Sequence, residues 1–172
     1  MIVDPSYSAE GTSDESALVV GYKSDYDDNG KINLNVVDAS HGRFKGIALA
    51  REILRLIVLW QPYRIRVERQ GPGAYDLLRD VILLLAKMDN IAIRGDIGFF
   101  NPRSTKRAKA ERIRKLQELL ECDPVTLRIY CPRIFESLLV EAENFAFESD
   151  TNLEREDGLL DCISLMCFRG EL

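Results

Sequence analysis

Between Ile2 and Val37 the chain offers three strand-like stretches and no helix, and from Gly46 onward helical and strand-like periods alternate almost to the end. That order constrains the fold more than any other feature: an antiparallel start must share its sheet with strands reached through helices. Ile2-Val3, closed by Asp4-Pro5, reads as a short strand, and Ala17–Tyr22 as a second, mostly buried one. Asp27-Asp28-Asn29-Gly30 is a hairpin signal, because Asn-Gly accepts the positive φ angles of tight turns, and Ile32–Val37 then alternates as a third strand.

Helical spacing of Ile47, Leu49, Ala50, Ile53, Leu54, Ile57 and Val58 predicts a helix over Gly46–Trp60, closed by Pro62. Arg64–Glu68 alternates and breaks at Gln70-Gly71-Pro72-Gly73, and Ala74–Met88 is helical again, which makes a βα unit. The remaining pattern predicts a strand at Ile91–Arg94, a helix over Lys106–Leu120, a strand at Val125–Tyr130 and helices over Pro132–Phe145 and Gly158–Met166. The expected fold is α/β: a mixed sheet of five to six strands, antiparallel over the first three and parallel thereafter, with helices on both faces. A length of 172 residues suits one domain, residues 1–172, with no repeat and no low-complexity linker.

Composition excludes several functions. With 23 Lys and Arg against 28 Asp and Glu, the net charge of −5 gives no bulk attraction to nucleic acid or an anionic membrane, so such binding must come from local clusters. One histidine and four cysteines without CxxC spacing leave no zinc set, and the cysteines are expected as reduced thiols. Gly71-Pro72-Gly73 matches neither phosphate-binding loop pattern, and no Ser/His/Asp or Cys/His arrangement supports nucleophilic catalysis. The longest apolar stretches, Ile53–Trp60 and Val81–Met88, are too short to cross a bilayer, and the start lacks a basic leader, so an intracellular protein without a membrane partner is expected. A chain that passes from Met1 straight into a strand reads as a domain cut from a longer protein.

Acids mark the candidate chemistry. Asp4 and Glu68 each close a strand, where α/β sheets place ligand groups, although a lone acid there more often solvates or caps a loop. Glu156-Asp157-Gly158-Leu159-Leu160-Asp161 sets Asp157 and Asp161 four apart at a helix start, where they repel unless a cation intervenes; an N-cap by Asp157 is the plain alternative. Arg103, Lys106, Arg107, Lys109, Arg112, Arg114 and Lys115 are opposed only by Glu111, and such a run is either a solvated helix face or a grip for DNA phosphates. Arg43 and Lys45 beside His41 fit a polar loop, and Trp60 fits a core anchor better than a base-stacking platform.

Four stretches in this order, Ile2-Val3-Asp4-Pro5-Ser6, Ile65–Gly71, Lys106–Ile113 and Glu156–Asp161, give the chain a resemblance to the C-terminal nuclease domains of phage terminase large subunits, of the ribonuclease H-like fold. The resemblance implies a metal-dependent endonuclease that cuts concatemeric double-stranded DNA in the host cytoplasm. It implies Asp4, Glu68 and Asp157 as catalytic metal ligands, Asp161 as a further ligand, and Arg103, Lys106, Arg107, Lys109 and Arg112 as DNA-binding residues. It also implies an N-terminal ATPase domain in the full-length protein, a small terminase subunit and a portal as partners, and a monomeric isolated domain. Family members often carry two adjacent aspartates at the late position; here Glu156-Asp157 stands instead, and Asp157 is preferred because it keeps the spacing to Asp161.

The chemistry agrees. Phosphodiester hydrolysis needs an activated water and a charge sink for the leaving oxygen, which two divalent ions supply. Carboxylates without His or Cys suit two Mg²⁺ or Mn²⁺ ions. A junction-resolving nuclease of the same fold superfamily and a non-catalytic packaging-complex binding domain are the competing readings.

Overall fold

Six strands form one mixed sheet in the order β5-β4-β1-β2-β3-β6. The computed structural model describes residues 1–5, 15–26, 28, 30–69, 74–100, 106–122, 124–147 and 158–168. The strands are β1 (Ile2–Asp4), β2 (Ser16–Tyr26), β3 (Ile32–Gly42), β4 (Arg64–Glu68), β5 (Asp96–Phe100) and β6 (Val125–Ile129). The helices are α1 (Ile47–Trp60), α2 (Ala74–Met88), α3 (Lys106–Glu121), α4 (Pro132–Phe147) and α5 (Gly158–Phe168). β1, β2 and β3 pair antiparallel, β4 runs parallel to β1, β5 parallel to β4, and β6 parallel to β3. A three-stranded antiparallel meander flanked by parallel strands is the mixed α/β sheet that the sequence predicted, and its strand order is consistent with a ribonuclease H-like fold.

Alternation along the strands divides the core between two faces. Val3, Leu18, Val20, Ile65 and Val67 point to one face, where α1 seals them with Leu49, Ile53, Leu56 and Ile57 and α2 with Leu78 and Ile82. Ile2, Ala17, Val19, Leu34 and Val36 point to the other, under Ile113 and Leu116 of α3, Ile134 and Leu138 of α4, and most of α5. Each fully buried Leu or Ile contributes about 1.5–3 kcal/mol, so the burial of both faces outweighs any single helix propensity.

α5 is the exceptional helix. Its sequence Gly158-Leu-Leu-Asp-Cys-Ile-Ser-Leu-Met-Cys-Phe168 is apolar on every side but for Asp161 and Ser164, and it lies across β1–β3 beneath α3 and α4. A carboxylate in such a helix needs a partner, since an unpaired buried charge is strongly unfavourable.

Two expectations change. Ile91–Arg94 is not a strand: Ile91 and Ile93 pack against the α1/α2 core from an irregular segment, and the edge strand is Asp96–Phe100. Pairing with β4 decides this, because Phe99 and Phe100 then point to opposite cores while Gly98 lies under Arg66, whose Nη1 would stand 2.9 Å from any β-carbon there. Trp60 is 45% exposed, and its indole N–H donates to the buried Asp38 at 2.8 Å instead of anchoring the core. Among the described residues no helix is long and apolar enough to cross a membrane. All four cysteines are free thiols, three of them buried.

Candidate metal centre

β1 and β4 are parallel neighbours with Val3 opposite Val67, so Asp4 and Glu68 finish their strands side by side. The third carboxylate arrives from above. Asp4 stands opposite Ala17 and Ala17 opposite His41, a row on the face that α5 covers. A β-carbon on Gly158 would lie 2.9 Å from that of Ala17, so glycine is what allows the first turn of α5 to rest on this row. Glu141 of α4 fixes that turn from behind: its carboxylate, 8% exposed, accepts the N–H groups of Leu159 at 3.4 Å and Leu160 at 3.0 Å. Those are two of the N–H groups a helix start leaves unpaired, and a negative charge there is favoured by the helix dipole. The next residue is Asp161.

Asp4, Glu68 and Asp161 thereby each present a carboxylate oxygen, all within 4.8 Å of one another. Asp161 is 1% exposed and Glu68 9%. Burial, then the Asp4 and Asp161 carboxylates, push Glu68 up to about 8 against a pull from Lys109, and its neutral form shares a hydrogen bond with Asp4. Burial, and then the Asp4 and Asp161 carboxylates, raise the thiol of the fully buried Cys162 well above its ordinary value. Two cations of α3 offset the remaining charge. Lys109 Nζ lies 3.8 Å from Asp4 Oδ2, and Arg112 forks onto Asp161, with Nη2 at 2.8 Å from Oδ1 and 2.9 Å from Oδ2 and Nε at 3.1 Å from Oδ1.

These donors fit a hard divalent ion. They are oxygen atoms only, converging from two strand ends and one helix, and their mutual repulsion is relieved by positive charge placed between them. Such a set can hold a divalent ion and, through it, polarise a phosphoryl oxygen.

Of the residues singled out in the sequence, Asp4, Glu68 and Asp161 come together. Asp157 and Arg103 lie outside the described residues, as do the side chains of Lys106 and Arg107. Lys109 and Arg112 face the acids. The resemblance sets these cations near the site, but the run alone does not show which of them pairs with which acid, because Arg112 and Asp161 are 49 residues apart. Glu141 was missed too; an acid on an otherwise apolar helix stripe, between Leu138 and Phe145, was the available signal. His41 stands at the same sheet end, its Nδ1 3.1 Å from Glu15.

No family model matches the chain. No curated protein matches it either. Among solved structures it is similar to the Fowlpox virus resolvase in complex with substrate Holliday junction DNA, at 15% identity and a TM-score of 0.44, over 96% of this chain and 91% of that one.

Proposed function

We propose that the chain is a metal-dependent endodeoxyribonuclease that hydrolyses phosphodiester bonds of double-stranded DNA. The observation that carries this reading is the convergence of Asp4, Glu68 and Asp161 from distant parts of the sequence into one group of carboxylates. Asp4 and Glu68, fixed by the sheet, and Asp161, fixed by Arg112 and the Glu141-capped helix, would hold Mg²⁺ or Mn²⁺; Asp157, outside the described residues, is assigned to the same set by the motif resemblance. Bound divalent ions would supply an activated water and neutralise the leaving oxygen. The protein's own part is to hold the oxygens close before the ion arrives, so that little reorganisation remains. Lys109, and the cations of α3 around it, offset the charge of the approaching phosphate.

Within that class, the four motif stretches favour the nuclease domain of a viral packaging terminase, acting on concatemeric DNA while an ATPase domain, small subunit and portal hold the substrate. Incubation with plasmid, linear duplex and four-way junction tests this. The expected result is nicking and linearisation of plasmid in Mn²⁺ or Mg²⁺, none in EDTA, and linear duplex cut as readily as the junction. Strong preference for the four-way substrate would instead identify a junction-resolving nuclease. Absence of saturable Mn²⁺ binding, with no cleavage of any substrate, would leave a non-catalytic DNA or packaging-complex binding domain.

A further inference from the structure

Arg112 belongs to the most cationic of the described helices, yet its side chain turns inward and is only 18% exposed. Three N–H contacts run from it to the two oxygens of Asp161, and Ser164 Oγ approaches Oδ1 at 3.2 Å. A carboxylate oxygen has about two acceptor positions, so Oδ1 is saturated and Oδ2 is engaged. This carboxylate is also one of the three that converge with Asp4 and Glu68. Only one acceptor position, on Oδ2, is left for an ion in the pocket, and a cation there meets the guanidinium charge already held by this carboxylate. Lys109, one turn earlier on the same helix, stands in the same relation to Asp4 at a looser 3.8 Å.

Resting on the metal-centre reading, the geometry points to an exchange at Asp161: Arg112 holds this carboxylate in the metal-free protein, and a divalent ion that takes it releases the guanidinium to a phosphate of the bound duplex. The planar fork that pairs with a carboxylate pairs equally with a phosphate, so the residue changes partner without changing its chemistry. Arg112 is in this account a positioning residue for Asp161 in one state and a DNA contact in the other. DNA gains that contact only when the ion is present, and by reciprocity the ion is held more tightly when DNA is there to receive the arginine.

Two measurements test the exchange with Arg112→Gln. Mn²⁺ alone, titrated calorimetrically at pH 8.5, is expected to bind the variant about tenfold more tightly than wild type, since no cation competes for Asp161. Duplex binding is then followed against salt. In Ca²⁺ the wild-type slope of log affinity against log salt is expected to be steeper than the variant's by about one, one phosphate contact, and in EDTA the two slopes are expected to coincide. Arg112→Lys keeps the charge without the fork, is expected to fall between the two in Mn²⁺ affinity, and provides the reading if the glutamine variant does not fold. Mn²⁺ binding by the variants no tighter than wild type, or a slope difference of the same size in EDTA, overturns the exchange. Absence of saturable Mn²⁺ binding by the wild type itself overturns instead the metal-centre reading on which it rests.

Discussion

Glu68→Gln is expected to eliminate DNA cleavage, by on the order of a thousandfold or more, and at the same time to stabilise the metal-free protein. The gain follows from the state of the wild-type residue. Glu68 is pushed up to about 8 by burial and by Asp4 and Asp161, and its proton is shared with Asp4. In the unfolded chain the same group ionises near its ordinary value of 4.5. Below that pH the residue is neutral in both states and makes no difference. As the pH rises toward 8 the unfolded chain gives up the proton and the folded chain keeps it, so stability falls across that window and levels off above it. Glutamine reproduces the neutral form, its amide N–H donating to Asp4 where the carboxylic O–H did. At pH 9 the metal-free variant should therefore be more stable than wild type by about 2–4 kcal/mol, and near pH 4 the two should coincide. Thermal unfolding in EDTA at the two pH values checks this. The same proton must leave when an ion binds, so wild-type Mn²⁺ affinity should weaken by up to about tenfold per pH unit below pH 8.

Asp161→Asn should also abolish cleavage, but with the opposite effect on stability. Asp161 is 1% exposed and receives the fork of Arg112. An amide accepts at one oxygen only and carries no charge, so the substitution leaves a mostly buried guanidinium without its counterion. Breaking such a pair from one side costs about 3 kcal/mol, on the order of 10 °C in melting temperature for a chain of this size. Removing both partners, in Arg112→Gln combined with Asp161→Asn, should recover most of the loss, because no unpaired charge is then left behind. A double-mutant cycle on melting temperatures reads the coupling. Two acids of one trio thus move stability in opposite directions: one is a crowded group relieved of its proton conflict, the other half of an ion pair.

Periodicity made the meander, the five helices and the βα order legible, because each element buries one face or both and the apolar spacing records it. It failed where pairing overrode propensity. Ile91-Ala92-Ile93 looks more like a strand than Asp96-Ile97-Gly98-Phe99-Phe100, but only the latter can lie along β4 with a phenylalanine for each core and a glycine under Arg66. The acids at residues 4 and 68 could be marked because strand ends are visible in a sequence. How closely Asp161 approaches them could not be read there, since it depends on how the mostly buried α5 is seated by Gly158 and Glu141. Contacts between charges 49 or 105 residues apart, Arg112 with Asp161 and Lys109 with Asp4, leave no local pattern at all. For that reason a helix that reads as a solvated cationic face includes two residues committed to the acidic pocket.

The most direct measurement is anomalous diffraction from crystals soaked in Mn²⁺. Manganese peaks are expected between the carboxylates of Asp4, Glu68 and Asp161, with Arg112 drawn away from Asp161. Manganese bound elsewhere on an intact protein, with the trio still closed on Arg112 and Lys109, would contradict the metal-centre reading.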